Sequence, residues 1–123
     1  MTIMAAKRFL FVHRKAPYGG GLAGEMLDAA LTAAAFGAEV HLAFLDDGVF
    51  HLLKRQCPDA VGGKDLTETL IDLGDCDIDQ VWVEGESLAR RGLRTDDLII
   101  AVSVIDARSL AQVMDGMDVV FSA

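Results

Sequence analysis

Asp46 and Asp47 end an apolar run, His41-Leu42-Ala43-Phe44-Leu45, and are followed by Gly48 before apolar spacing resumes at Val49 and Phe50. The pattern predicts a buried strand that stops at a turn and passes into a helix. In an open α/β sheet the carboxyl ends of the strands form the crevice where ligands and partners are met. Asp46, Asp47 and Gly48 are therefore expected beside any working surface. Asp-Gly after a hydrophobic run is also an ordinary turn signal.

A second constellation invites a dinucleotide. Gly19, Gly21 and Gly24 match G-x-G-x-x-G between a first strand and a first helix, and Asp46 lies near the end of the next strand. Such glycines let the backbone approach a pyrophosphate while the acid binds ribose. The fit is imperfect, because the five residues 14–18 separate the strand from the first glycine, whereas the fingerprint needs a tight turn directly off the strand. A nucleotide-binding module stays as an alternative, and no cofactor is expected.

The thiols offer a third chemistry. Cys57 is close to Lys54 and Arg55, and cations favour the thiolate that acts as nucleophile. Cys76 lies among Asp75, Asp77 and Asp79, which disfavour that form. The two cysteines have neither metal-ligand spacing nor a C-x-x-C arrangement, so free thiols are expected and no metal site. His13, closing the first strand, is a candidate base or hydrogen-bond donor in the crevice, though a histidine often merely finishes a strand. His41 and His51 read as structural or solvated; the Arg90-Arg91 pair could bind an anion or an acidic partner, but the favoured reading is a solvated helix end suited to the helix dipole.

The elements that must position these groups follow from periodicity and punctuation. Residues 8–13 form a strand-like apolar segment, and the loop 14–21 holds Pro17 and three glycines. Helical spacing at Met26, Leu27, Ala30, Leu31, Ala34 and Ala35 predicts a helix over 22–36, stopped by Gly37. Residues 39–45 form a second strand without polar alternation, as expected where both faces are covered. A short helix is expected over 49–54 and a loop over 55–63. Asp65 or Thr67 caps a helix running to Leu73, ended by Gly74. Further strands are expected at 79–84, 98–102 and 118–121, with helices at 87–91, closed by Gly92, and at 107–114. Five strands alternating with helices imply an α/β fold with a parallel sheet between helical layers.

Composition bounds the function. A chain of 123 residues, 52% of them apolar, forms one domain over residues 1–123 with a real core. With 11 basic against 19 acidic residues the formal charge is −8, the wrong sign for tracking phosphates, so neither nucleic acid nor an anionic membrane is an expected partner. No apolar run approaches the roughly 20 residues of a membrane span, and residues 1–7 lack signal-peptide character. A cytoplasmic location is expected.

The motifs in order resemble the DsrE/DsrF-like sulfur-relay family, closest to its DsrF/TusC branch. The matching stretches are Phe11-Val12-His13-Arg14-Lys15-Ala16-Pro17-Tyr18-Gly19, Phe44-Leu45-Asp46-Asp47-Gly48-Val49-Phe50 and Leu73-Gly74-Asp75. They continue with Val81-Trp82-Val83, Ser87-Leu88-Ala89-Arg90-Arg91-Gly92-Leu93, Asp96-Asp97-Leu98 and Asp118-Val119-Val120-Phe121-Ser122. The resemblance spans nearly the whole chain, and its specificity lies in the succession of pieces.

The resemblance implies a three-layer α/β/α domain with a five-stranded parallel sheet. It implies a cytoplasmic subunit of a hetero-oligomer with DsrE-like and DsrH-like chains, passing sulfur as cysteine persulfide in sulfur oxidation or tRNA thiolation. It places the crevice or docking edge at His13, Arg14, Lys15, Tyr18, Asp46, Asp47 and Gly48. In catalytic members the persulfide cysteine stands eight residues before the glycine that corresponds to Gly92, and that position holds Glu84. A carboxylate cannot carry sulfane sulfur, and its charge disfavours a nearby thiolate. The expectation is a non-catalytic subunit, able to form a homo-oligomer when isolated. The alternative from another class is a self-sufficient sulfurtransferase using Cys57.

Overall fold

The structure, a computed structural model, describes residues 7–17, 22–54 and 67–123. Five strands, β1 (Arg8–His13), β2 (Glu39–Phe44), β3 (Gln80–Glu84), β4 (Ser103–Ile105) and β5 (Val119–Ser122), form one sheet in the order β4-β3-β2-β1-β5. Every pairing is parallel, with His13 beside Phe44 and Phe44 beside Val83. That register brings the carboxyl ends of β1, β2 and β3 to one edge.

Three successive crossovers step in one direction from β1 to β4, and the last returns to β5 on the far side of β1. Right-handed crossovers then put the first three connections on one face of the sheet and the last on the other. The core divides accordingly. Phe11, Leu42, Phe44, Val81 and Val83 pack with Met26, Leu27 and Ala30 of α1 (Leu22–Ala35), Leu70 of α2 (Thr67–Ile71) and Leu88 of α3 (Gly85–Arg90). On the opposite face Leu10, Val12, Ala43 and Leu45 pack with Leu110 of α4 (Ala107–Asp115). Alternate residues of β1 and β2 thus serve different layers, which explains their lack of polar alternation.

Local signals explain the element ends. Gly37 adopts φ +92° after α1, and its N–H donates to the Ala34 carbonyl at 3.0 Å. Asp106 caps α4 by accepting from the Ser109 N–H at 2.7 Å, which lowers the Asp106 pKa. Among the described residues no helix is long and apolar enough to cross a membrane.

Three local expectations need correction. The fourth strand is not 98–102 but Ser103–Ile105. Leu98 is buried in the core with Leu52 and Leu88, its backbone forms an antiparallel bridge with Leu53, and the Ile99 N–H donates to the Leu52 carbonyl at 2.8 Å. The apolar run therefore packs on a neighbouring connection, while the true strand is short and half-exposed. The helix expected over 49–54 is a 3₁₀ helix, Asp46–Leu52, starting three residues earlier at the acids. The helix expected to reach Leu73 stops at Ile71, and a 3₁₀ helix, Leu73–Cys76, follows. Asp65 and the loop 55–63 lie outside the described residues.

Candidate functional site at the carboxyl edge

The corner at Asp46 is set by backbone packing. The Leu45 N–H donates to the His13 carbonyl at 3.1 Å, and the Gly48 N–H donates back to the Leu45 carbonyl at 2.9 Å. Gly48 presses against the backbone of His13, so a Cβ there would collide with the His13 carbonyl oxygen. Asp46 meanwhile takes φ +51°, a left-handed conformation that Asp tolerates better than most residues.

This corner meets the end of β3 through one hydroxyl. Ser87 Oγ accepts from the Asp46 N–H at 2.8 Å and donates to Glu84 Oε1 at 2.7 Å. Glu84 is the residue preceding α3 and Ser87 lies within that helix, so one helical turn brings the two side chains together. Ser87 is only 2% exposed, which makes both bonds costly to lose.

Two arginines tie the acids down. Arg14 donates to Asp46 Oδ2 from Nε at 3.2 Å and from Nη2 at 3.1 Å. Arg91 donates to Asp47 Oδ1 from Nη2 at 2.8 Å and from Nε at 3.1 Å, and to the Ser87 carbonyl at 3.1 Å. Its guanidinium also lies 5.9 Å from the Phe50 ring centre. The solvated helix end expected for this arginine pair holds only for Arg90, which forms an exposed pair with Glu86. Arg91 instead folds back onto the 3₁₀ corner, because Asp47, in the first turn of that corner, lies within ion-pair distance of the end of α3.

The histidines beneath are packing groups. His13 is buried, stacks on Phe44 with ring centres 4.7 Å apart, and has its pKa lowered to about 3 by burial, then by the nearby His51. So weak a base takes up almost no protons near neutral pH, and the ring is neutral there. His13 Nε2 is buried without a hydrogen-bond partner among the described residues. His51 is also buried, has its pKa lowered by burial, and donates from Nε2 to the Lys15 carbonyl at 2.9 Å. His41 accepts from Trp82 Nε1–H at 3.2 Å, which leaves its Nε2–H to donate to Glu39 at 2.8 Å.

The structure thus brings His13, Arg14, Lys15, Asp46, Asp47, Gly48 and Glu84 to one edge of the sheet. Sequence reasoning missed Ser87 and Arg91 as its connectors. The available signal was a serine three residues after the strand-ending Glu84, which is helical spacing. Tyr18, Cys57, Gly19 and Gly21 lie outside the described residues, and Gly24 sits within α1. Cys76 is an exposed free thiol just ahead of β3, at the amino edge and so away from this site. Among the described residues no group of three His, Cys, Asp or Glu side chains is placed to hold a metal ion.

Known proteins share this framework. The model of the DsrE/DsrF-like family matches residues 7–122. The chain is 38% identical to the intracellular sulfur oxidation protein DsrF of Allochromatium vinosum, covering 94% of this chain and 96% of that protein. It is 36% identical to a TusC homolog from Pseudomonas aeruginosa, covering 95% of this chain and 98% of the relative. The crystal structure of the E. coli ychN protein superposes with a TM-score of 0.80 at 24% identity, covering 95% of this chain and 99% of that one, a likeness of fold.

Proposed function

Starting from the fact that the chain belongs to the DsrE/DsrF-like family, we propose that it is a non-catalytic subunit of a cytoplasmic sulfur-relay complex, docked to DsrE-like and DsrH-like chains. The observation that carries the reading is Glu84. A carboxylate, held by the Ser87 hydroxyl, stands at the end of β3, where catalytic relatives are expected to present a persulfide cysteine. A carboxylate has no sulfur to load, and the acids and arginines around it are mutually paired rather than aimed at a reacting atom. The chemistry left to such an edge is recognition.

The relatives named for DsrF and TusC support a relay role, and the DsrF relative is named for intracellular sulfur oxidation; tRNA thiolation is the other pathway that the family resemblance implies. Co-expression with DsrE-like and DsrH-like chains tests the reading. A stable complex containing all three chains is the expected result, and a chain that purifies alone under every condition overturns it.

A further inference from the structure

Six charged residues, Arg14, Lys15, Asp46, Asp47, Glu84 and Arg91, lie where β1, β2 and β3 end, and four of them neutralise one another. Arg14 pairs with Asp46 and Arg91 with Asp47, while among the described residues Glu84 has no cation within ion-pair distance. Among the described residues its carboxylate accepts a hydrogen bond from the Ser87 hydroxyl at 2.7 Å. An ionised carboxylate offers about four acceptor sites, so one hydroxyl leaves most of its capacity open. Glu84 is half-buried, so its charge has lost part of its water without gaining a counter-charge.

The direction of the carboxylate is also fixed in advance. Ser87 is buried and its oxygen is already committed to the Asp46 N–H, so the hydroxyl proton is left for Glu84. Holding an acceptor in place before binding lowers the entropic cost of association. On the neighbouring strand Val104, opposite Val83 and diagonal to Glu84 in the register, is 46% exposed, and its Cγ1 reaches to 3.0 Å of where a Cβ on Gly85 would stand. Among the described residues β4 pairs only with β3, so it forms an edge of the sheet. A carboxylate beside an apolar ledge suits a long cationic side chain, whose stem covers apolar surface while its head meets the charge.

We propose that Glu84 receives the guanidinium or ammonium of an arginine or lysine supplied by a partner subunit, with its aliphatic stem lying over Val104. The inference rests on the reading of the chain as a docked subunit. The net charge of −8 would also draw a basic partner surface toward this chain.

The test measures binding to the DsrE-like and DsrH-like chains at low and at high ionic strength. Glu84→Gln keeps an acceptor for Ser87 and removes the charge. It is expected to weaken association about tenfold or more at low ionic strength and to flatten the salt dependence. Val104→Lys offers Glu84 a cation from its own chain and is expected to weaken binding similarly. Glu86→Gln, two residues away in an exposed pair, should bind as wild type. Wild-type affinity and salt dependence in both Glu84→Gln and Val104→Lys overturn the inference and leave the subunit reading standing. A wild-type chain that never associates overturns both.

Discussion

Glu84 and Ser87, three residues apart, share a 2.7 Å hydrogen bond that joins the end of β3 to α3, and Ser87 extends it to the corner at Asp46. Removing the hydroxyl leaves the Asp46 N–H without its acceptor and Glu84 without its donor. Ser87→Ala is therefore expected to cost about 1–3 kcal/mol, the penalty of unpairing a buried polar group. Urea unfolding of the two proteins measures it, and an unchanged midpoint would refute the structural role of the hydroxyl.

Gly48 is required by space. A side chain there meets the backbone of His13, which cannot move without disturbing β1, whereas a Cβ on Gly74 meets nothing within 4 Å. Gly48→Ala is expected to destabilise by about 3 kcal/mol, as severe overpacking does. Gly74→Ala should stay within about 0.5 kcal/mol of wild type. Thermal unfolding of the pair provides the comparison, and equal losses would contradict this account of the corner.

Stability should fall on acidification through the buried histidines. The pKa of His13 drops from 6.5 to about 3 on folding, and that of His51 is lowered as well. Between those limits the unfolded chain binds protons that the native chain refuses, so the stabilisation present above pH 6.5 is lost as the pH falls toward 3. The slope for one such group reaches about 1.4 kcal/mol per pH unit. Denaturant titrations at several pH values should show His13→Phe less acid-sensitive than wild type. Parallel curves would mean that His13 does not titrate as its burial implies.

The two arginine pairs should matter more to docking than to folding. Asp46 and Asp47 are about half exposed, and exposed ion pairs contribute roughly 0–1 kcal/mol each. Asp46→Asn with Asp47→Asn should keep a nearly normal melting temperature yet weaken assembly with the partner chains. An unchanged affinity in analytical ultracentrifugation would remove the acids from the docking surface.

Much of this edge was legible in the chain. The apolar runs of β1 and β2 are buried on both faces and carry a strong signal, and the break at Asp46-Asp47-Gly48 marked the corner to which the Ser87 hydroxyl docks. The short edge strand β4 was not legible, because Ser103 and Val104 are exposed and the more apolar residues just before them pack elsewhere. Arg91 was misread because its partner Asp47 lies 44 residues away, and no local pattern announces a contact that only the sheet register creates. His13 looked available for proton transfer from its position at a strand end. Its stacking on Phe44 and its burial emerge only once the layers close.

Native mass spectrometry after exposure to a persulfide donor tests the central claim most directly, using this chain co-expressed with its DsrE-like and DsrH-like neighbours. The account predicts one assembly containing all three chains, with the labile extra sulfur on a partner and this chain at its unmodified mass. A chain that stays outside the assembly and itself carries a labile sulfur, lost in Cys57→Ser, would contradict it.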